Sequence, residues 1–254
     1  MSVELDKVSV IRNGRPILNA ATIACDAGAF TALCGPNGAG KTTALSVMTG
    51  ALEPDEGRVR LDGEDVGAFD RLSLARRRAV VSQSSALSFP FQAHEVAAMG
   101  RAPHHGRAGQ SRDAAVISAV IAAMDLTAMA DRNYLTLSGG ERQRVNIARA
   151  LAQIWDPPDD GQARWLFLDE PTAALDLKHQ IALMVRLKAL AREGWGVVAV
   201  LHDLPLVRQH ADKVVLFKDG EIHSAGAPAD MLTPDRIQTV FDLAAPYTAT
   251  AEPF

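Results

Sequence analysis

Cysteine is scarce. The 254 residues contain two, Cys25 and Cys34, too few for a disulfide framework, and Cys34 ends an apolar run that reads as a buried strand. This usage fits a reducing compartment. Long apolar runs are missing too: no stretch approaches the ~18 residues needed to cross a bilayer. The most apolar one, Ala114 to Met124, is short and contains Ser118. The first residues carry no charged-then-apolar segment of the secretory kind. There is no surplus of positive charge either. The formal net charge is -4, so no overall basic field draws nucleic acid or anionic lipid. Repeats, low-complexity tracts and sustained heptads are absent, which leaves out long coiled coils. What remains is an ordinary globular balance, 48% hydrophobic and 22% charged, in a chain long enough to bury a real core. Such a chain does membrane work only through partners.

Against these absences stands Gly35-Pro36-Asn37-Gly38-Ala39-Gly40-Lys41-Thr42, which matches G-x-x-x-x-G-K-[ST] at every fixed position. Polyphosphate needs several donors that add no bulky side chains. Glycines let the loop fold so that successive backbone N–H groups point inward, and a helix starting near Lys41 aims its positive dipole end at the same phosphates. Lys41 is expected on the β- and γ-phosphates, and the Thr42 hydroxyl on Mg²⁺. Phe30 to Cys34 reads as the strand before the loop, and Thr43 to Thr49 as the helix after it, stopped by Gly50.

The rest of the chain reads as an α/β fold. Val3, Leu5, Val8 and Val10 are spaced for strands, and Asn13-Gly14 is a hairpin turn signal. These features predict an antiparallel sheet beside the nucleotide core. Val59 and Leu61 form a short strand, Arg71 to Arg78 a basic helix with a solvated face, and Ala79 to Ser82 a strand that delivers Gln83 to its end. Residues 84–137 are rich in Ala, Met and His and read as an inserted helical subdomain, with helices over His94 to Met99, Asp113 to Met124 and Leu126 to Ala130. The core then comprises 1–83 and 138–254. In its second part, strands at Trp165 to Leu168, Val197 to Leu201 and Val214 to Phe217 alternate with helices at Leu177 to Glu193 and Leu204 to His210, the pattern of a parallel sheet with crossover helices. Two short helices close the chain, near Ala229 and over Asp235 to Phe241.

Two further stretches carry chemistry. Trp165 to Asp169 is an apolar strand ending in a carboxylate, held where it can orient the water shell of Mg²⁺. Glu170, next to it, is poised to accept a proton from an attacking water. Leu137-Ser138-Gly139-Gly140-Glu141-Arg142-Gln143 is a capping box in which Ser138 caps a helix and Glu141 sits three residues on. Bare Gly139 and Gly140 at a helix start also make a second anion site. Two incomplete phosphate sites about a hundred residues apart point to a head-to-tail pair of chains, the loop of one facing the Ser-Gly-Gly helix of the other.

Together with Leu168-Asp169-Glu170-Pro171-Thr172, these motifs resemble the ATP-binding cassette ATPases over essentially the whole chain. The resemblance implies a P-loop core, ATP and Mg²⁺ as cofactors, a homodimer when ATP is bound, and a transmembrane permease dimer as partner. It implies nucleotide contacts from Gly35 through Thr43, and from Ser138, Gly139 and Gly140 of the second chain. Gln83 matches the residue that contacts Mg²⁺ or water and reports nucleotide state. Ala174-Leu175-Asp176 matches the loop at the dimer seam, although Asp176 also reads as a helix N-cap. His202 matches the switch histidine near the γ-phosphate. Glu170, His202, Lys41 and Gln83 are the catalytic set, and Thr42, Gln83 and Asp169 the metal set. Arg12 stands where the family carries an aromatic residue on adenine; a guanidinium also stacks on a base.

A narrower resemblance rests on Gln83 to Phe91, Met99 to His104 and Ala150 to Trp155. These look like the importer ATPases for haem, iron-siderophores and cobalamin, and Leu151 to Arg164 resembles the haem-importing group most. That implies a place on the cytoplasmic face of the inner membrane and an indirect link to a periplasmic haem-binding protein, with no nucleic acid involved. His104-His105 reads as a solvated helix-end pair, not a haem ligand, because the cargo passes through the permease. The rival readings are a DNA-repair or chromosome cassette, which needs a long coiled-coil insertion, a translation factor, which needs two cassettes, and an export ATPase with the same engine.

Overall fold

The computed structural model describes residues 1–83, 88–106 and 109–244. In chain order the elements are β1 (Ser2–Arg12), β2 (Arg15–Asp26), β3 (Phe30–Cys34), α1 (Lys41–Met48), β4 (Glu56–Leu61), β5 (Glu64–Asp65), α2 (Arg71–Arg77), β6 (Arg78–Val81), α3 (Ala93–Ala98), α4 (Gln110–Ala123) and α5 (Gly139–Gln153). They continue with β7 (Trp165–Asp169), α6 (Leu177–Arg192), β8 (Gly196–Val200), α7 (Leu204–His210), β9 (Lys213–Lys218), β10 (Glu221–Gly226), α8 (Pro228–Met231) and α9 (Pro234–Phe241).

Two sheets form. The first is antiparallel, in the order β2-β1-β4-β5. Asn13 and Gly14 both take positive φ, 52° and 72°, the two-residue turn whose twist matches the strands it joins. The second has the order β10-β9-β3-β8-β7-β6. Strands β3, β7 and β8 are buried at every residue, as strands covered on both faces must be. Their side chains alternate between two cores. Phe30, Ala32 and Cys34 face the helices on one side, while Leu33, Phe167 and Val198 face α1 and the antiparallel sheet on the other. The parallel-sheet expectation holds from β9 to β6 but misses β10, which runs antiparallel to β9. Asp219 and Gly220, with φ of 50° and 80°, turn the chain back. That Asp-Gly pair before the alternating Glu221-Ile222-His223 was a readable hairpin signal.

Helices α3 and α4, with the tight 3-10 turn Met99–His104 between them, pack on α5. Arg101 is 2% exposed, and each of its three guanidinium nitrogens donates a hydrogen bond. It donates to Asp113 Oδ1 at 2.7 Å, Asp156 Oδ2 at 2.7 Å and the Ala152 carbonyl at 2.9 Å. His104 corrects the solvated-pair expectation: it is buried, with Nε2 2.8 Å from the Gln153 carbonyl. The negative end of α5 draws both groups in, and burial holds the His104 pKa below its ordinary value. His105 alone is exposed. Residues 84–87 of the stretch after Gln83, and 107–108, lie outside the described residues.

Candidate functional site

Strand β3 delivers the chain into the glycine loop, and α1 starts at Lys41. The loop lies against the core so closely that side chains are impossible at two points. A methyl on Gly35 would lie 2.2 Å from the Phe217 carbonyl oxygen; one on Gly40 would lie 2.8 Å from that of Ile17, at a φ of 95°. Gly40 is also the N-cap of α1. It supplies no side-chain acceptor, and the first turn of the helix holds no acidic residue. The helix start is therefore open to an external anion.

Lys41 is 6% exposed, and its Nζ donates to the carbonyls of Gly35 at 2.8 Å and Pro36 at 2.7 Å. Burial holds its pKa below the ordinary value. The Thr42 hydroxyl donates to Asp169 Oδ1 at 3.1 Å. Burial raises the Asp169 pKa first of all; the Thr42 hydrogen bond opposes this, and the neighbouring Glu170 adds to it. Glu170 is held at both oxygens: Gln83 Nε2 donates to Oε2 at 2.9 Å, and His202 Nε2 lies 2.7 Å from Oε1. Its backbone takes a φ of 49°, a conformation unfavourable for a side chain this large. Lys41, Thr42, Thr43, Gln83, Glu170 and His202 share one cavity of about 530 Å³ with the 37–40 loop. It lies beyond the carboxyl ends of β3 and β7, where open α/β sheets bind ligands.

Other expected residues stand elsewhere. Ser138 caps α5, accepting from Glu141 N at 3.2 Å while Glu141 Oε2 accepts from Ser138 N at 2.7 Å. Neither Ser138 nor Gly139 nor Gly140 lines the cavity of its own chain, and neither does Asp176. Asp176 caps α6 through His179 N at 2.9 Å. Arg12 is tied down, donating to the Ile11 carbonyl at 2.8 Å and pairing with Asp55 at 3.5 Å. Ile17, which no local signal marked, lines the cavity instead. The oxygens of Thr42 and Asp169, and the amide oxygen left on Gln83 once its nitrogen serves Glu170, are hard donors of the kind Mg²⁺ takes.

A phosphate loop on a strand–helix turn, backed by a buried strand-end aspartate and a glutamate beyond it, defines a P-loop nucleoside triphosphatase. Residues 18–173 match the family model described as ABC transporter. The chain is 40% identical to the hemin import ATP-binding protein HmuV of Rhizobium meliloti (strain 1021), over 94% of this chain and 90% of that protein. It is 45% identical to that of Burkholderia pseudomallei (strain 1710b), over 91% and 90%. Among solved structures it is similar to a dimeric ATP-binding cassette in a post-hydrolysis state with ADP and Pi (TM-score 0.77, 28% identity, 89% of this chain and 98% of that one). It is also similar to a putative metal-chelate type ABC transporter in an inward-facing conformation (TM-score 0.79, 25% identity, 95% and 89%). The chain belongs to the ABC transporter ATPase family, whose members bind and hydrolyse ATP. Among the described residues no helix is long and apolar enough to cross a membrane.

Proposed function

We propose that this chain is the ATP-hydrolysing subunit of a hemin importer, working as a homodimer beneath a transmembrane permease dimer at the cytoplasmic face of the inner membrane. The cargo is supported by the names of relatives at 40–45% identity. The chemistry is supported by one observation above all: Glu170 is held between Gln83 and His202 at the mouth of the cavity that contains Lys41.

Lys41 exchanges its two loop carbonyls for the β- and γ-phosphate oxygens, and the loop N–H groups from Gly38 to Thr43 cradle them. Thr42, Asp169 and Gln83 would hold Mg²⁺, which would offset phosphate charge. Glu170 orients and deprotonates the attacking water, and His202 steadies the γ-phosphate region. Ser138, Gly139 and Gly140 of the second copy complete the pocket from across the seam, beside Asp176. Ile17, on the β1–β2 hairpin, lines the side left for the base, and Arg12, on the same hairpin, reaches the base only on leaving Asp55. Residues 84–137 move as a helical subdomain against the core of 1–83 and 138–254, and carry the permease contact.

Glu170→Gln is expected to lower turnover by roughly 10²–10⁴, typical for a lost general base, while ATP binding persists and the closed dimer accumulates; near-normal hydrolysis in that variant sinks the assignment. Mixing a Lys41-defective with a Ser138-defective copy should restore one working pocket per pair. A second cargo reading, an iron-siderophore or cobalamin, takes support from the likeness to a metal-chelate type transporter. ATPase activity of the reconstituted permease complex, measured with hemin, ferric siderophore and cobalamin in turn, decides between them.

A further inference from the structure

Between Glu170 and α6 the chain makes one compact turn. The Glu170 carbonyl accepts from Ala173 N at 3.3 Å, and that of Thr172 from Leu175 N at 3.1 Å. Ala174 lies against the start of α5. A methyl on Gly140 would sit 2.9 Å from the Ala174 carbonyl oxygen, and one on Gly139 would sit 3.8 Å from Ala174 Cβ. A single five-residue segment thus touches the base at one end, the Ser-Gly-Gly helix start in its middle and the α6 cap at the other. Its shape is not secured by its own backbone alone. The half-buried Gln180, one turn into α6, reaches back with Nε2 and donates to the carbonyls of both Thr172 and Leu175, at 3.1 Å each. A primary amide has two N–H donors on one nitrogen, and both are used. Beside it His179 Nδ1 lies 2.7 Å from the Asp176 carboxylate that caps the same helix.

We propose that Gln180 is a positioning residue of the ATPase reaction. It holds the 172–175 turn in the one shape that fixes Glu170 over its own nucleotide and seats Gly140 for the nucleotide of the second copy. The inference rests on the roles assigned above to Glu170 and Gly140. Its reason is geometric: displacements of about 1 Å at reacting groups can cost of the order of 10² in rate, and nothing else among the described side chains bonds these two carbonyls.

Gln180→Glu replaces the donor with an acceptor facing two carbonyl oxygens, Gln180→Ala removes it, and Gln180→Lys restores donors. The full-length chain is expected to lose about 10-fold in kcat in Gln180→Glu and several-fold in Gln180→Ala. KM for ATP should stay within about twofold, because the Lys41 loop is untouched, and Gln180→Lys should recover most of the rate. Unfolding midpoints normalise each rate to folded protein. Wild-type kcat per folded molecule in both Gln180→Glu and Gln180→Ala overturns the proposal. So does a rise in KM that matches the fall in kcat, which marks general loosening. Glu170→Gln assayed in parallel keeps two failures apart. Retained turnover there refutes the base assignment, whereas a dead Glu170→Gln beside fully active Gln180→Glu and Gln180→Ala refutes only the positioning role.

Discussion

The molecule contains two glycine-rich helix starts, and they are built in opposite ways. At α1 the N-cap is Gly40, with positive φ, no side-chain acceptor and no acid in the first turn. The loop before it is pressed into the core by contacts that forbid a Cβ at Gly35 and Gly40. At α5 the cap is a closed reciprocal box between Ser138 and Glu141, and Ser138 and Gly139 are exposed. The first start has unmet donors and needs an anion to satisfy them. At the second, the box satisfies only the Ser138 and Glu141 N–H groups, and no described side chain accepts from the Gly139 or Gly140 N–H. On the function proposed above, the first start grips nucleotide within one chain, and the second is an exposed, partly capped end that a second copy presents.

Alanine at one glycine of each helix start tests the contrast most severely. Gly40→Ala places a methyl against the Ile17 carbonyl and forces a non-glycine residue to a φ of 95°, costing of the order of 1–3 kcal/mol in strain alone. Nucleotide affinity should fall by more than tenfold and the unfolding midpoint should drop. Gly139→Ala finds only ordinary contact, 3.8 Å from Ala174 Cβ, at a position without positive φ, where the change stabilises by roughly 0.4–1 kcal/mol through the unfolded chain. Its midpoint should hold or rise, nucleotide binding by the separate chain should be normal, and only turnover should suffer. Equal loss of nucleotide affinity in the two variants, read by fluorescent-nucleotide titration, breaks the distinction.

The same contrast governs what was legible in the sequence. The phosphate loop, the strand before it and the capping box are local devices, each specified by a few adjacent residues, and they appear where their spacing places them. The two-sided core of β3, β7 and β8 is likewise visible as unbroken apolar runs. What no local pattern shows is what depends on residues far apart in the chain, and of this only the set of Gln83, Glu170 and His202 is named in advance, through the family resemblance. Gln83, Glu170 and His202 meet only because β6, β7 and β8 are neighbours in the sheet. Ile17 lines the cavity because the β1–β2 hairpin folds over the loop. His104 looked solvated because nothing near it in sequence announces that the end of α5 will bury it. Arg12 reads as a base-stacking group, and its pairing with Asp55 stays hidden because that residue lies more than forty positions on. The strand β10 is a different case, since its Asp219-Gly220 turn was there to be read.

The carboxylates beside the two helix starts give the smallest effect but the sharpest one, because its sign reverses. Burial raises the pKa of Asp169 above its ordinary 3.8. The native state therefore holds that proton more tightly than the unfolded chain, and ionising the group as pH climbs through this range costs stability. Glu141 is the reverse. The Ser138 backbone N–H, partly opposed by desolvation, holds its pKa below the ordinary 4.5, so its charge contributes stability that is present above 4.5 and lost as pH falls through the native value. Removing charge at pH 7 with a near-isosteric amide should therefore raise the midpoint in Asp169→Asn, since the Thr42 hydroxyl keeps an acceptor, and lower it in Glu141→Gln. At this chain length each kcal/mol moves the midpoint by about 2–4 °C. Thermal melts at pH 7 and again near pH 4 read both, and the gap between each variant and the parent should narrow at the lower pH. Activity should move against stability in the first, because Asp169→Asn loses the carboxylate proposed to hold Mg²⁺, and stay nearly constant in the second. A fall in midpoint for Asp169→Asn at pH 7 would mean that the carboxylate is stabilised where it sits, and that the phosphate loop is not the strained, unsatisfied end of the pair.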